Sequence, residues 1–469
     1  MVDRIQELSG KRVAVLGAGI SGIAAARLAR ASHAGQVVLL DEADGGRFGD
    51  LPQQLASEGI VMHCGDAARG HDGACDLAVV SPGVPLAGAL ATAIRSRAGQ
   101  IQGELEFAFR YCPWPVYAVT GTNGKTTTVE LLVSCLKSVG RKVIAGGNIG
   151  TPLSQVVLDN PPLDCVVAEV SSFQLECAPR FHPSLGILLN VTPDHLNRHG
   201  TLDNYRAIKT RMLEQIAYCG HAVCNAALDR FVRYPQGVGK SRIWSPGEYN
   251  AQAAMPEVRD FAVTAQGVSE IGPDGAEKTL INRSSLQLRG NHNLQNVAAV
   301  IAAMGALGFE LPAYRMALEN FQSGAHRIQT IASANGVTYI DDSKATDVDA
   351  LIQALRTIGP SAGKNVILIA GGLDKGCSLS EVKSELRMYV KGIYLIGQCR
   401  HRLAGEWGEH APCVECDTIE QAVELASQGA SSGDTVLLSP GCASQDQFRD
   451  YVERGERFRN AVEAQTAAR

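Results

Sequence analysis

Short apolar runs alternate with helix-forming stretches over the first hundred residues of the chain. Arg12–Leu16, Val37–Leu40 and Leu77–Val80 read as strands, and Ile23–Arg30 reads as a helix between the first two. Strands that alternate with helices predict βαβ units, in which the strands are parallel and the crossovers right-handed. The pattern therefore predicts an α/β domain with a parallel sheet.

Glycine and proline interrupt this pattern between residues 98 and 115, and a second break falls at Ser323-Gly324. Strand and helix patterns resume after each break. We therefore predict three α/β domains, which comprise residues 1–104, 105–323 and 324–469.

In the middle domain the pattern predicts helices over Thr126–Val139 and 291–307 and strands over Cys165–Ala168 and Leu185–Leu189. Short runs broken by Gly and Pro predict a β-rich edge over 251–288. The last domain alternates again, with predicted strands at Val337–Ile340, Val366–Ala370, Ile393–Ile396 and Val436–Leu438.

Composition and charge narrow the class of protein. Of the 469 residues, 45% are hydrophobic and 19% are charged, as is usual for a soluble globular protein. A formal charge of −5 gives no reason to expect nucleic acid or an anionic membrane as a partner. There is no apolar signal segment at the start, and no run approaches the roughly 20 apolar residues that cross a bilayer. We expect a cytoplasmic protein without membrane insertion.

Cysteine usage points to a reducing compartment, because the 13 cysteines are scattered and odd in number. Cys413 and Cys416 have CxxC spacing, with Cys399 and His401 upstream, and four such ligands would suit zinc. However, a second CxxC is missing, and Cys416 lies in what reads as an ordinary strand. We interpret these cysteines as buried or half-buried thiols.

The pattern with the clearest chemistry is a strand-to-helix junction, VYAVTGTNGKTTT, over residues 116–128. We expect its loop to direct backbone N–H groups at an anion, which would bind at the N-terminus of the following helix. Lys125 can pair with the outer phosphates of a nucleoside triphosphate, and Thr126 can ligate Mg²⁺. The strict GxxxxGK[ST] pattern fails, because Val119 stands where it requires glycine. The loop is therefore a shorter variant.

Polar residues follow other predicted strands. Glu169 ends one strand, where a phosphate-loop enzyme places its Mg²⁺-binding acid, and SSFQLE follows it with no evident packing reason. Asp194-His195 follows the end of the next strand, with Lys209 downstream. For the adjacent Asp341 and Asp342, solvation is the default expectation.

A dinucleotide-type fingerprint, Gly17-x-Gly19-x-x-Gly22, lies between the first strand and helix. Asp41 follows 19 residues after its last glycine. The physics of this motif requires only a diphosphate at a helix N-terminus. NAD, FAD and a UDP-sugar all satisfy that requirement, so the motif does not choose among them.

Taken together, these residues resemble the Mur ligase family of ATP-dependent amide-forming enzymes, which act in bacterial cell-wall precursor assembly. The matching runs are TGTNGKTT (120–127), GGNIG (146–150), EVSSFQLE (169–176), NVTPDH (190–195), YRAIK (205–209), GNHNLQN (290–296), AHR (325–327), DDSKAT (341–346) and SPGCASQDQF (439–448). The resemblance implies a Rossmann-like N-terminal domain for a UDP moiety, a central ATPase domain and a Rossmann-like C-terminal domain for an amino acid.

The reaction implied by the resemblance is the addition of D-glutamate to UDP-N-acetylmuramoyl-L-alanine through an acyl phosphate, in peptidoglycan synthesis, by a monomeric enzyme. It further implies catalytic roles for Lys125, His195, Lys209, Arg327 and Lys344, and two Mg²⁺ ions. Thr126 and Glu169 would hold one ion, and His195 and Lys209 the other, with Lys209 carbamylated to become a carboxylate-like ligand. The remaining ATP contacts would come from Gly121, Thr122, Asn123, Gly124, Thr127, Asn293, Asn296, Arg327 and Asp342.

The resemblance also assigns residues to the two substrate sites, one for the UDP substrate and one for D-glutamate. Ile20, Ser21, Gly83, Asn148 and His195 match the site of the UDP substrate, and Thr346, Lys375, Ser444 and Tyr451 match the D-glutamate site. The chain departs from the family pattern at four places. Asp341 and Asp347 replace asparagines, Tyr451 replaces a usual phenylalanine, and Glu42-Ala43 replaces the Thr-Arg that some members place on the uracil side.

Three other interpretations of the sequence compete with this one. An NAD-dependent dehydrogenase would leave the phosphate loop without a role. A nucleotide switch would be expected to carry the guanine-specifying NKxD, which the chain lacks. Within the family, a different amino-acid ligase or a folylpolyglutamate-type ligase remains the alternative, although the 439–448 run and the GAGISG start favour D-glutamate.

Overall fold

The structure is a computed structural model that describes residues 8–250, 255, 257–288, 290–322, 324–373 and 381–467. Two compact units are distinguished. The first comprises the chain up to Val191 together with Asp203–Leu286 and Gln295–Phe321. The second comprises Thr192–Leu202, Gln287–Leu294 and the chain from Gln322 onward.

The first unit begins with a parallel five-stranded sheet of order β3-β2-β1-β4-β5. Its strands are β1 (Arg12–Leu16), β2 (Gln36–Asp41), β3 (Ile60–Cys64), β4 (Cys75–Val80) and β5 (Ala98–Gly103). Its helices are α1 (Ile20–Ala31), α2 (Leu51–Ser57), α3 (Gly65–Arg69) and α4 (Ala89–Arg95), with a 3-10 turn at Gly45–Phe48. The strand order reverses between β1 and β4, so the loops that follow these two strands meet at one edge.

The same unit contains a nine-stranded sheet of order β14-β13-β12-β11-β10-β9-β6-β8-β7. Its strands are β6 (Val116–Thr120), β7 (Val143–Gly147), β8 (Cys165–Glu169), β9 (Leu185–Leu188), β10 (His221–Asn225), β11 (Gly239–Trp244), β12 (Val258–Val263), β13 (Gly267–Ile271) and β14 (Glu277–Asn282). Strands β6 to β12 are paired in parallel, and β13 and β14 form an antiparallel edge. This edge confirms the β-rich segment for the residues described there.

The helices from here to the third sheet are α5 (Glu104–Tyr111), α6 (Lys125–Ser138), α7 (Leu153–Asp159), α8 (Ser172–Glu176), α9 (Leu196–His199), α10 (Leu202–Glu214), α11 (Ala226–Asp229), α12 (Asn291–Ala306) and α13 (Arg315–Glu319). Two further 3-10 turns are Arg283–Ser285 and Leu311–Ala313. One hydrophobic cluster joins residues around both sheets, among them Val15, Phe107 and Val166, all fully buried.

The second unit contains a six-stranded sheet of order β15-β16-β20-β17-β18-β19, parallel except for β15. Its strands are β15 (Gln329–Ala334), β16 (Val337–Asp341), β17 (Val366–Gly371), β18 (Val390–Ile396), β19 (Cys413–Glu415) and β20 (Thr435–Leu438). Its helices are α14 (Val348–Ala362), α15 (Lys383–Tyr389), α16 (Arg400–Trp407), α17 (Ile419–Gly429) and α18 (Tyr451–Ala467). Apolar clusters cover both faces of this sheet.

The predicted strands and helices are confirmed, with ends that differ by a few residues. The segment 98–115, which the pattern predicts only as a break, instead forms β5 and α5, so the predicted boundary between residues 104 and 105 falls after the first residue of α5. Near the CxxC pair, the Cys413 and Cys416 thiols donate to the carbonyl oxygens of Ala411 and Val414. No group of three or more His, Cys, Asp or Glu side chains among the described residues could hold a metal ion.

Candidate active site

The phosphate loop runs from Gly121 to Gly124 and connects β6 to α6. Asn190, two residues after the end of β9, is hydrogen-bonded to this loop. The Thr122 amide donates to the Asn190 carbonyl at 3.0 Å, and the Asn123 amide donates to Asn190 Oδ1 at 2.8 Å. Because β6 and β9 are adjacent parallel strands, their carboxyl ends place these residues together. Sequence reasoning did not select Asn190, although its place at a strand end was the available signal.

Gly124 precedes α6 with φ +83°, a left-handed conformation that glycine adopts without steric cost. A Cβ atom at this position would lie 2.4 Å from Oδ1 of Asn296, a buried residue of α12. The loop and Asn296 are therefore in close contact. This places two of the predicted ATP residues side by side within the first unit.

Lys125 begins α6, and its Nζ donates to the carbonyl oxygens of Gly121 at 2.9 Å and Thr122 at 2.6 Å. The loop amides and the N-terminus of this 14-residue helix supply positive potential at the same point. An ammonium group at a helix N-terminus fits the outer phosphates of a nucleoside triphosphate.

Glu169 ends β8, which pairs with β6 on the side opposite β9. Its Oε2 accepts a hydrogen bond from Thr126 Oγ1 at 2.7 Å, and its Oε1 accepts one from Asn148 Nδ2 at 2.8 Å. Thr126 and Glu169 are 5% and 4% exposed. A buried carboxylate beside a threonine hydroxyl supplies the oxygen donors that Mg²⁺ takes together with phosphate and water. These residues therefore fit a magnesium ion.

The polar residues after Glu169 have a local structural role, although no such role is evident from the sequence. Ser171 and Gln174 form a capping box at the N-terminus of α8. The Ser171 side chain accepts from the Gln174 amide, and the Gln174 side chain accepts from the Ser171 amide. These two residues therefore need no catalytic role to account for them.

Lys209, on α10, is 1% exposed and lies behind the phosphate loop. Its Nζ donates to the Gly121 carbonyl at 2.8 Å and lies 3.4 Å from Thr120 Oγ1. The ring of Tyr205 lies 4.8 Å from this nitrogen. The structure thus places Lys209 against the loop that holds Lys125.

A cavity of about 520 Å³ opens where the strand order of the first sheet reverses. Four of the residues predicted for the UDP substrate, Ile20, Ser21, Gly83 and Asn148, line it together. Asn148 also donates to Glu169, so the cavity adjoins the candidate magnesium site. This volume is within the range of small-molecule sites.

Asp41 holds the glycine loop of this cavity in place. Its Oδ2 accepts from the Ala18 amide at 2.7 Å, and its Oδ1 accepts from the Ala43 amide at 2.8 Å. Glycine is required at position 22, because a Cβ there would lie 1.8 Å from the Gly17 carbonyl oxygen. The absence of a side chain at Gly22 therefore allows α1 to approach the loop closely.

Thr127 is buried in the first turn of α6, and the other remaining predicted residues lie in the second unit. They are His195, Asn293, Arg327, Asp342, Lys344, Thr346, Ser444 and Tyr451. His195 has φ +54° and precedes α9, and its Nε2 lies 3.3 Å from Asp194 Oδ2. Lys375 lies outside the described residues.

Both aspartates after β16 are buried, so the expectation that solvent relieves their repulsion is wrong. Asp341 Oδ2 lies 2.6 Å from His326 Nδ1. Asp342 accepts from Ser439 Oγ at 2.8 Å and from the Ile328 amide at 3.2 Å. Burial raises the pKa of Asp342 to about 7, although these two hydrogen bonds oppose the shift. The repulsion between the two carboxylates is therefore reduced by the contact of Asp341 with His326 and by the raised pKa of Asp342, which favours its neutral form, rather than by solvent.

The loop after β20 carries Ser444, which is 1% exposed. Its hydroxyl makes no hydrogen bond to any residue that the structure describes. An unsatisfied buried hydroxyl is costly unless a ligand or water completes it. This supports a polar ligand at the carboxyl edge of the third sheet.

The fold and the phosphate loop define a nucleotide-binding α/β protein, and comparison with protein-family models places it among the ATP-dependent ligases. The Mur ligase middle domain matches residues 119–304, and the Mur ligase glutamate ligase domain matches residues 326–442. With full-length relatives above 30% identity, the chain belongs to the Mur ligase family.

Two curated relatives are each named UDP-N-acetylmuramoylalanine–D-glutamate ligase. The protein from Pelotomaculum thermopropionicum is 37% identical, with 98% of this chain and 98% of the relative covered. The protein from Koribacter versatilis is 36% identical, with 97% and 98% covered.

Solved structures share the fold at lower identity. The UDP-N-acetylmuramate–alanine ligase of Thermotoga maritima has a TM-score of 0.59 and 18% identity, and the alignment covers 98% of this chain and 100% of that one. The MurF ligase of the same organism, in complex with ADP, has the same score and identity, with 92% and 96% covered. None of the helices among the described residues is long and apolar enough to cross a membrane.

Proposed function

We propose that the chain joins D-glutamate to UDP-N-acetylmuramoyl-L-alanine at the expense of ATP, in peptidoglycan precursor synthesis. The observation that carries this proposal is a phosphate loop and a Thr126–Glu169 pair on a chain that matches curated ligases of this name along nearly its whole length. The alternative is a related ligase for another amino acid, since a folylpolyglutamate synthase shares the fold with a TM-score of 0.56.

The reaction has two steps. A carboxylate oxygen of the UDP substrate bonds to the γ-phosphorus of ATP, and the bond to ADP breaks. The amine nitrogen of D-glutamate then bonds to the acyl carbon and gives up a proton, and inorganic phosphate leaves with the former carboxylate oxygen. Because a carboxylate is a poor acyl donor, phosphorylation supplies the leaving group that amide formation requires.

In this proposal the loop amides and Lys125 bind the transferred phosphate, as their geometry at the start of α6 favours. Thr126 and Glu169 would hold one Mg²⁺, which would supply positive charge beside the phosphates. We further propose a second ion held by His195 and a carbamylated Lys209. The burial of Lys209 beside the Gly121 carbonyl supports a role next to the phosphates.

The substrate sites divide between the cavity of the first sheet and the third sheet. We assign the UDP moiety to the cavity lined by Ile20, Ser21, Gly83 and Asn148. Asn293 and Asn296 contact adenine, Asp342 contacts the ribose, and Arg327 and Lys344 flank the phosphates. Thr346, Ser444 and Tyr451, with Lys375, receive the carboxylates of D-glutamate. The monomeric state and the cytoplasmic location stay predictions.

The test is phosphate release by the purified chain with ATP, Mg²⁺ and UDP-N-acetylmuramoyl-L-alanine, across a panel of D- and L-amino acids. We expect release that depends on D-glutamate. Release with another amino acid would establish the alternative ligase, and no release with any would refute both. Lys125→Ala should abolish turnover, and Lys137→Ala, an exposed lysine in the last turn of the same helix, is the matched control.

Carbamylation has a separate test. Lys209→Ala should lose activity and recover part of it with a small added carboxylate, because the truncated side chain leaves buried space beside the loop. Lys125→Ala, assayed with the same additive, should not recover. Failure of the additive to restore Lys209→Ala would contradict the modified lysine.

A further inference from the structure

Tyr451 is the residue at which this chain carries a hydroxyl where phenylalanine is usual. It begins α18, and its Oη accepts a hydrogen bond from Lys344 Nζ at 3.2 Å. The same nitrogen lies 4.8 Å from the centroid of the Tyr451 ring. The side chain therefore contacts the ammonium group through both its ring and its hydroxyl.

Hydrogen bonds join the two backbone segments that carry Lys344 and Tyr451. Ser343 Oγ donates to the Tyr451 carbonyl oxygen at 2.8 Å. Beneath them the buried Arg454 donates to Ser343 Oγ at 3.0 Å and to the Ser343 carbonyl at 2.7 Å, and a third bond reaches the Cys442 carbonyl at 3.1 Å. The turn that carries Lys344 is thus fixed to the first turn of α18. The ring and hydroxyl of Tyr451 have a defined position relative to that lysine.

We propose that the Tyr451 hydroxyl is a positioning group that holds Lys344 for phosphoryl transfer. This inference rests on the proposed function, in which Lys344 flanks the phosphates of ATP. A lysine ammonium is a compact charge on a flexible four-carbon chain, so its position must be supplied by its surroundings. A phenylalanine would retain the ring contact and lack the acceptor.

The variant that isolates the hydroxyl is Tyr451→Phe. We expect the single-turnover rate of ADP formation, measured with ATP and UDP-N-acetylmuramoyl-L-alanine and without D-glutamate, to fall on the order of three- to tenfold, the range for one hydrogen bond. The KM for D-glutamate should not change, because we assign the D-glutamate contact of position 451 to its backbone N–H, which phenylalanine retains. Tyr339→Phe is the control, since it removes another tyrosine hydroxyl bond of 3.2 Å in the same unit, to Ser427.

A double-mutant cycle separates positioning from a structural role. If Tyr451 acts through Lys344, Tyr451→Phe should have no further effect on ATP affinity, measured by calorimetry, in a Lys344→Ala background. The inference would be overturned if the two substitutions weakened ATP binding additively, or if Tyr451→Phe formed ADP at the normal rate. An equal fall in the rate of ADP formation in Tyr339→Phe would also overturn it. Failure of the unmodified chain to form ADP from these substrates would instead refute the proposed function.

Discussion

Replacement of Gly124 by alanine tests whether the phosphate loop must lie directly against Asn296. At φ +83° a non-glycine residue costs about 1–2 kcal/mol in backbone strain. The added Cβ would also lie 2.4 Å from Asn296 Oδ1 and 3.1 Å from its Cγ. Because Asn296 is 3% exposed within α12, the contact can be relieved only if this side chain or the loop moves.

Gly140 provides the matched control at the other end of α6. Its φ is +81°, and a Cβ there would meet no atom within 4 Å. Gly140→Ala should therefore carry the same backbone cost of about 1–2 kcal/mol in stability without a change in nucleotide binding. The difference between the two variants isolates the contact with Asn296.

We expect Gly124→Ala to weaken ATP binding on the order of 100-fold, or about 2.7 kcal/mol, because movement of the loop disrupts the amides that bind phosphate. Calorimetric titration with ATP and Mg²⁺ measures this loss, and chemical denaturation measures the stability of both variants. Unchanged affinity in Gly124→Ala, or an equal loss in Gly140→Ala, would refute the reasoning.

Three further predictions concern other buried groups. Because the pKa of Asp342 is raised from 3.8 to about 7, the folded chain retains a proton that the unfolded chain loses, and stability should fall by up to about 4 kcal/mol as the pH rises from about 4 to 7. Asp342→Asn should remove this dependence in urea denaturation, and a wild-type chain that is equally stable across that window would contradict it. Glu169→Gln should raise the Mg²⁺ concentration for half-maximal ADP formation at least about tenfold, since a charged ligand is lost; an unchanged Mg²⁺ dependence would remove it from the metal site. Arg242→Met should destabilise the chain by about 3–5 kcal/mol, because it leaves Asp260 buried without its bidentate partner, and denaturation that matches the wild type would show that the pair contributes little.

The elements around the phosphate loop could be predicted because their signals are local. The apolar run of β6, the glycine of the turn and the polar start of α6 are consecutive in the chain. Hydrophobic periodicity and turn chemistry act over a few residues, so they predict strands, helices and the ends where ligands bind. Elements with weaker patterns, such as β5 and α5, went unassigned because tertiary packing stabilises them more than local propensity does.

The class of chemistry follows from the amino-acid sequence alone, since the phosphate loop and the ordered motifs already indicate an ATP-dependent ligase. How the candidate residues are held in position depends on the folded chain. The Asn190 contact with the loop, the Gly124–Asn296 approach and the Tyr451–Lys344 bond join residues 67, 172 and 107 positions apart. Such contacts depend on which strands become neighbours in a sheet and how closely helices pack on them. No local pattern encodes that geometry, because it arises from burial of the whole core.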